Sequence, residues 1–204
     1  MAACDYLIAQ DILSDCDNPS VAGIESDGVI INRNDIDFAA SELDDTRKNV
    51  VKTIALKTGK RGYKISVIGG TPFNNTQITL SVGTNRNTFI NDLAFIILDN
   101  SPDLAEKVLD PLANGQFVAV FENKFKNTNK STNAGDNSFQ IMGWYQGLKA
   151  QTLENVKYSE DTVGGWGVMI QETGSPRAAM FLFDTSYATT QAAMTALTNP
   201  VATP

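Results

Sequence analysis

Apolar and polar side chains alternate with a period of two in several short segments of this chain. The alternation is clearest over residues 63–67 and 78–82, where Tyr, Ile, Leu or Val is followed by Lys, Ser or Thr. Because successive side chains of a strand point to opposite faces, this period gives each segment one apolar and one polar face. The pattern, bounded by Gly, Pro and Asn, predicts half-buried antiparallel strands.

Two longer apolar runs predict strands in the interior. Residues 89–98 and 116–121 are almost continuously apolar, which is typical of strands buried on both faces. Between them, Ser101 suits a helix N-cap and Pro102 the first helical position, so we expect a helix over about residues 101–113. Further strands are expected at residues 29–31, 50–56, 139–142, 147–157, 166–171 and 180–183, with a turn at 26–28 and an irregular stretch at 32–48.

These elements predict a mainly β fold: an antiparallel β-sandwich or barrel with one flanking α-helix. At 204 residues the chain can bury a core that needs neither disulfides nor a metal. The expected organisation is an N-terminal arm at residues 1–27, a β-sandwich domain at 28–184, and a C-terminal helix or tail at 185–204.

The residue types available restrict the chemistry that the chain can perform. It has no histidine, which excludes Ser-His-Asp and Cys-His catalysis and the zinc hydrolase motifs. Its two cysteines, Cys4 and Cys16, are too few for a tetrathiolate site or a disulfide scaffold. A carboxylate pair could still hydrolyse a glycosidic bond, with Trp144, Tyr145 and Trp166 stacking on sugar rings, but no pair stands out. We therefore expect no enzymatic activity, no cofactor and no metal.

Negative charge is concentrated in the first quarter of the sequence. Residues 1–48 hold 11 Asp and Glu against 3 Lys and Arg, a net charge of -8, and the remainder holds 12 against 13, a net of +1, which together give -7. Tight binding to nucleic acid through phosphate neutralisation is not expected without a basic excess. Since no secretory signal or bilayer-length apolar run is recognisable, we expect a soluble protein made in a reducing cytoplasm.

A polar segment at residues 126–137 contains no large apolar side chain. At twelve residues it is long for a connection without regular structure, so it is expected to be mobile or to become ordered against a partner. Its candidate assembly contacts are Lys126, Asn129, Lys130, Asn133 and Asp136. Removing the segment should leave folding intact and reduce assembly.

Six short phrases of the sequence carry a resemblance to a known family. They are GTNRNTF at 83–89, LANGQFVAVFEN at 112–123, GDNSFQ at 135–140, GWYQGL at 143–148, DTVGGW at 161–166 and MFLF at 180–183. Together they resemble tail-tube or tail-ring structural proteins of phages that infect Bacteroidetes, including the stacked ring proteins of crAss-like phages. The resemblance covers roughly residues 28–184.

The resemblance implies a virion structural protein whose protomers pair their sheet edges into a closed ring. Such rings would build a tail tube or tail barrel, the conduit for DNA ejection, in the tail or neck of a virion assembled in the bacterial host cytoplasm. The implied partners are further copies of the chain and other tail or neck proteins, with DNA only as passing cargo and no membrane. The alternative is a monomeric carbohydrate-binding or adhesin-type β-sandwich module with Trp144 and Tyr145 on an exposed face.

In a ring, the acidic quarter of the chain would have one of two roles. Negative side chains can form a channel wall to which DNA does not adhere, or they can bind a basic patch on the next ring. The candidate lumen or inter-ring residues are Asp35, Asp37, Asp44 and Asp45. We expect them to line the channel or to lie within ion-pair distance of Lys or Arg on a neighbouring subunit.

Overall fold

The computed structural model describes residues 7–13 and 15–202. Cys4 and the start of the expected N-terminal arm lie outside this range. Residues 7–23, here called the N-terminal extension, contain no helix or strand where they are described. The first strand begins at Ile24, so the last residues of the expected arm belong to the folded domain.

Eleven strands form within the described residues and make two sheets. They are β1 Ile24–Asn32, β2 Glu42–Leu43, β3 Val50–Thr53, β4 Tyr63–Ser66, β5 Phe73–Ser81, β6 Thr88–Ile97, β7 Phe117–Asn123, β8 Phe139–Met142, β9 Lys149–Glu154, β10 Trp166–Ser175 and β11 Met180–Leu182. The larger sheet has the order β2-β3-β11-β8-β7-β1-β4, and the smaller one has the order β5-β6-β10-β9. Neighbouring strands are antiparallel except β11 and β3, which are parallel.

The two sheets pack face to face as a sandwich. Phe117, Ala119 and Phe121 of β7 share one apolar cluster with Leu93 and Ile170 of the smaller sheet. The mainly β fold is therefore confirmed in its sandwich form, and neither sheet closes into a barrel over the described residues. This architecture leaves edge strands at both sides of each sheet.

Strand β7 also packs against a third layer, formed by the C-terminal helix. Its residues 117–121 are all buried, which confirms the expectation for an apolar run of this kind. While the odd-numbered side chains face the smaller sheet, Val118 and Val120 face a second cluster that includes Met194 and Leu197. Those two residues belong to the C-terminal helix Tyr187–Ala196 and its last turn, so the helix covers the outer face of the larger sheet.

The flanking helix is present, with one irregular turn. It consists of α1 Pro102–Leu104, a π-helical turn Ala105–Leu109 and α2 Asp110–Asn114. The Ser101 hydroxyl accepts a hydrogen bond from the backbone N–H of Leu104, which confirms the expected cap. A proline within a helix clashes with the carbonyl four residues before it, and the wide turn immediately before Pro111 relieves that clash. We number the C-terminal helix α3; its capping box is formed by Ser186 and Thr189.

The turn expected at residues 26–28 is wrong, because β1 continues through it. The register between β1 and β7 shifts between Ile24 and Gly28, so an irregularity in the strand accommodates these polar residues. A Cβ on Gly28 would clash with the ring of Phe73. The glycine is thus required for close packing of β5 against β1 and not for a turn.

Candidate functional site

The structure brings two groups of expected assembly residues together around Arg47. The guanidinium donates to Asp136 Oδ2 at 2.9 Å through Nη1 and lies 3.5 Å from Asp44 Oδ2 through Nη2. Lys130 Nζ donates to Asp136 Oδ1 at 2.9 Å, and Lys52 Nζ lies 4.0 Å from Asp44. We call Asp44, Arg47, Lys52, Lys130 and Asp136 the Arg47 cluster. It ties the polar segment at 126–137 to the acidic segment that precedes β3.

Asp44 is held in place by its own chain. Its Oδ1 accepts hydrogen bonds from the backbone N–H of Arg47 at 2.8 Å and from the backbone and hydroxyl of Thr46 at 3.0 and 2.7 Å. The bond from the Arg47 backbone and those from Thr46 hold the pKa of Asp44 well below its usual range. The carboxylate is therefore charged at neutral pH and organises the turn that presents Arg47.

A second network fixes the beginning of the polar segment. Lys126 Nζ lies 2.7 Å from Glu122 Oε1 and 3.0 Å from Glu25 Oε1, and the Tyr187 hydroxyl donates to Glu122 Oε1 at 2.6 Å. Partial burial lowers the pKa of Lys126, but its hydrogen bonds to the two glutamates outweigh burial and raise it overall. Burial and the bond to Glu122 raise the pKa of Tyr187. Lys126 thus joins β1, β7 and α3.

The polar segment has a defined conformation on its own subunit. Asn127 and Asn133 adopt positive φ angles of 42° and 52°, which asparagine tolerates in tight turns. Asn137 Nδ2 donates to the Phe125 carbonyl at 3.1 Å. Turns and ion pairs thus connect the segment to its own subunit, and its expected mobility or ordering against a partner stays a prediction. Asn129 and Asn133 are exposed at its tip.

The other expected acidic residues are distributed along the segment before β3. Asp35 lies 3.4 Å from Lys60 Nζ and accepts from Asn32 Nδ2 at 2.9 Å. Asp37 accepts from two backbone N–H groups, at 3.1 and 3.2 Å, and so stabilises a turn. The side chain of Asp45 is exposed. Three of the four candidates thus have partners within the subunit, and their roles in a channel or between rings remain predictions.

The structure places the three aromatic residues considered for sugar binding, Trp144, Tyr145 and Trp166, in or against the core. Trp144 is buried, 6% exposed, and meets the Phe38 ring edge to face with 5.1 Å between centroids. Tyr145 is half-buried, with its hydroxyl 3.6 Å from Met180 Sδ. Trp166 packs against the core between the sheets. The expectation of Trp144 on an exposed face is wrong, because its ring completes the core of the larger sheet.

Glu172 is the important polar residue that we did not expect from the sequence. It is 1% exposed, and its two oxygens accept from Asn91 Nδ2 at 2.7 Å and from the backbone N–H groups of Gly143, Tyr145 and Gln146 at 3.2, 3.0 and 2.7 Å. Its place in the alternation of β10, two residues after the buried Ile170, was the available signal. The carboxylate connects the smaller sheet to the turn after β8.

The smaller sheet has two free edges, formed by β5 and β9. Over the described chain, β5 pairs with β6 alone, and β9, at the opposite edge, pairs with β10 alone. β5 contains neither proline nor a charged residue. The pairing register of β5 with β6 shifts between Asn74 and Gln77. Residues 77–81 then follow a regular register and form an uncharged edge.

No group of His, Cys, Asp and Glu side chains within the described ranges is arranged to hold a metal ion. None of the helices in this part of the chain is long and apolar enough to cross a membrane. Comparisons with protein-family models, with curated proteins and with solved structures found no match to this chain.

Proposed function

We propose that the protein is a virion structural protein that forms homo-oligomeric rings of a phage tail tube or tail barrel. The observation that carries the proposal is the free β5 edge, where residues 77–81 follow a regular register and the strand has neither a charge nor a proline. Proteins that remain monomeric usually protect such an edge with lysine, proline or a covering loop, since it can pair with another chain. An edge left in this state is suited to pairing.

The second free edge of the same sheet, β9, supplies a complementary surface. When β5 of one subunit pairs with β9 of the next, the two subunits use different surfaces, and repetition of this contact can close into a ring. The smaller sheets then form one continuous sheet around the ring, and no edge of that sheet stays exposed. The sequence resemblance to ring-forming tail proteins supports the same arrangement.

The charge of the chain agrees with a conduit through which DNA moves. The net charge is -7, so the protein lacks the basic excess that would hold phosphates strongly. We place four acidic residues at the channel wall or between rings in this proposal: Asp35, Asp37, Asp44 and Asp45.

The experiment is to obstruct the β5 edge and to measure assembly. Thr79 is an exposed residue in the regular part of β5, and Thr79→Lys places a charged side chain on this edge strand, which opposes pairing with another chain. Thr195→Lys, at an exposed position of α3, is the matched control. Native mass spectrometry and negative-stain images should show rings for the wild type and the control, and monomers for Thr79→Lys.

A small effect per contact is sufficient, because every contact of a closed ring carries the substitution. Even about 1 kcal/mol per contact lowers the population of a six-subunit ring by several orders of magnitude. A wild-type protein that stays monomeric at high concentration would refute the proposal. Rings that form equally well with Thr79→Lys would place the contact elsewhere.

A further inference from the structure

The N-terminal extension carries apolar side chains that its own subunit does not cover. Ile8, Ile12 and Leu13 are 81, 88 and 83% exposed. Ile8 and Ile12 are four residues apart and lie on one face of either a strand or a helix. Scattered exposed apolar residues are ordinary, but three large ones within six positions form a patch that water disfavours.

The sandwich contains an apolar groove of about 510 Å³ between β4 and the helical segment 102–114. Ile65 of β4, Ile97 of β6, and Leu104, Val108 and Leu112 of the helical segment contribute to its lining. All four residues of β4 line the groove, although successive side chains of a strand point to opposite faces of the sheet. Because β4 is an edge strand, the groove runs along the free edge of the larger sheet. A peptide in this groove can therefore meet both apolar side chains and strand backbone.

The charges of the extension and the groove are complementary. The extension holds Asp11, Asp15 and Asp17 and neither Lys nor Arg. The charged residues that line the groove are Lys64 and Lys107, and no carboxylate lines it. Each lysine forms one exposed ion pair within its subunit, to Asp27 at 2.9 Å and to Asp103 at 2.6 Å. Exposed pairs of this kind are weak and can accept a further carboxylate.

The extension is attached to its own subunit outside the groove. Asn18 donates to Asn127 Oδ1 at 2.6 Å, beyond the Asn123 end of β7. The groove is lined by β4, by the helical segment and by Phe117 at the start of β7. Because Ile8, Ile12 and Leu13 are 81–88% exposed, they do not occupy the groove of their own subunit.

We propose that residues 8–13 of one subunit dock in the groove of a second copy of the chain. Because the extension and the groove are different surfaces, this contact is heterologous, joins copies head to tail and can repeat from copy to copy. The inference rests on the proposed function in that β5 and β9 close each ring, which leaves the extension to link one ring to the next. The extension is thus the contact that stacks rings into a tube.

The test uses two full-length variants that each lose one half of the contact. Ile8→Glu with Ile12→Glu alters the extension and leaves the groove intact. Val108→Glu alters the groove, at a position that is 38% exposed, and leaves the extension intact. Ile68→Glu, at a fully exposed isoleucine outside both surfaces, is the matched control. Sedimentation velocity and electron microscopy report the number of rings in each particle.

The expected result is stacked rings for the wild type and Ile68→Glu, and single rings for each of the two contact variants. Mixing the two variants should restore only one kind of contact and give pairs of rings that grow no further. Association of rings should weaken about 100-fold or more in the variant that loses Ile8 and Ile12, since each buried isoleucine contributes at least about ten-fold. It should weaken about ten-fold or more in Val108→Glu, which loses one buried apolar side chain. Stacks that persist in both variants, or a mixture that stays as single rings, would overturn the inference.

The outcomes separate this contact from ring formation itself. If the variants form rings with an unchanged number of subunits, the proposed function stays intact whether or not the rings stack. If the wild type forms no rings, the proposed function fails, and the mixture then tests the docking contact as a one-to-one dimer. If Val108→Glu lowers the melting temperature, Lys107→Glu replaces it in the test, because this substitution keeps the apolar lining of the groove. Weaker stacking of Lys107→Glu rings at low salt supports docking, and unchanged stacking contradicts it.

Discussion

Replacing Glu172 by glutamine tests whether one buried carboxylate holds the two sheets and the turn after β8 together. The substitution conserves the shape of the side chain but exchanges one oxygen for an amide group that donates hydrogen bonds. In the wild type, each oxygen accepts two bonds: Oε2 from Asn91 and Gly143, and Oε1 from Tyr145 and Gln146. With its nitrogen at the Oε1 position, the new amide faces two backbone donors. At the Oε2 position it faces the Gly143 N–H, while Asn91 can turn its own amide so that the otherwise unpaired Oδ1 accepts a hydrogen bond.

The cost follows from that geometry. In the more favourable orientation one charge-assisted hydrogen bond, from Gly143, is lost, which costs about 1.5–3 kcal/mol. We expect Glu172→Gln to lower the free energy of unfolding by about 2 kcal/mol. A domain of this size is stabilised by about 5–15 kcal/mol and loses roughly 2–4 °C of melting temperature per kcal/mol. The melting temperature should therefore fall by about 4–8 °C.

Urea denaturation and thermal melting followed by circular dichroism measure this effect. Glu160→Gln is the matched control, because Glu160 is exposed and its substitution should change stability by less than about 0.5 kcal/mol. A Glu172→Gln protein within about 1 kcal/mol of the wild type would refute the reasoning. The carboxylate would then contribute no more than an ordinary surface group.

Two further predictions concern the segments that the sequence marked for assembly. Asp44→Asn should destabilise the protein at neutral pH, because hydrogen bonds lower the pKa of Asp44 in the folded state. This stabilisation is present above the unfolded pKa of about 3.9 and is lost as the pH falls. Urea denaturation should therefore show that the stability difference between wild type and variant shrinks below about pH 4. Deleting residues 128–134 should leave a folded subunit, since Lys126 keeps its salt bridge to Glu122 and Asp136 keeps its salt bridge to Arg47. The deletion should reduce ring assembly, which native mass spectrometry measures. A deletion that unfolds the subunit would contradict this prediction.

The parts of the fold that the sequence predicted correctly are those decided by local pattern. Strands β4 and β6 follow from alternation or continuous apolar character within ten residues, and Ser101 with Pro102 marks the helix start. The first half of β1 was missed because residues 25–28, Glu-Ser-Asp-Gly, have turn composition. Their conformation is decided by pairing with β7 and by the ring of Phe73 over Gly28, which are distant in sequence.

The same limit applies to the candidate site. Lys130 and Asp136 could be selected as polar loop residues, but the salt bridge between Arg47 and Asp136 joins positions 89 residues apart. Such a contact depends on the strand order, in which β11 lies between β3 and β8, and no local pattern specifies that order. Glu172 was open to prediction in principle, since it occupies an inward position of an alternating strand.

The negative charge of the first quarter of the chain divides into two groups with different uses. Asp35 and Asp44 are within 4.0 Å of cations of their own subunit and shape the segment before β3. Asp11, Asp15 and Asp17 of the N-terminal extension take part in none of the salt bridges found among the described residues. The extension therefore brings most of its charge unneutralised to whatever surface covers Ile8 and Ile12. A basic rim around an apolar groove satisfies both requirements at once, and in the proposed contact Lys64 and Lys107 of a second copy form that rim.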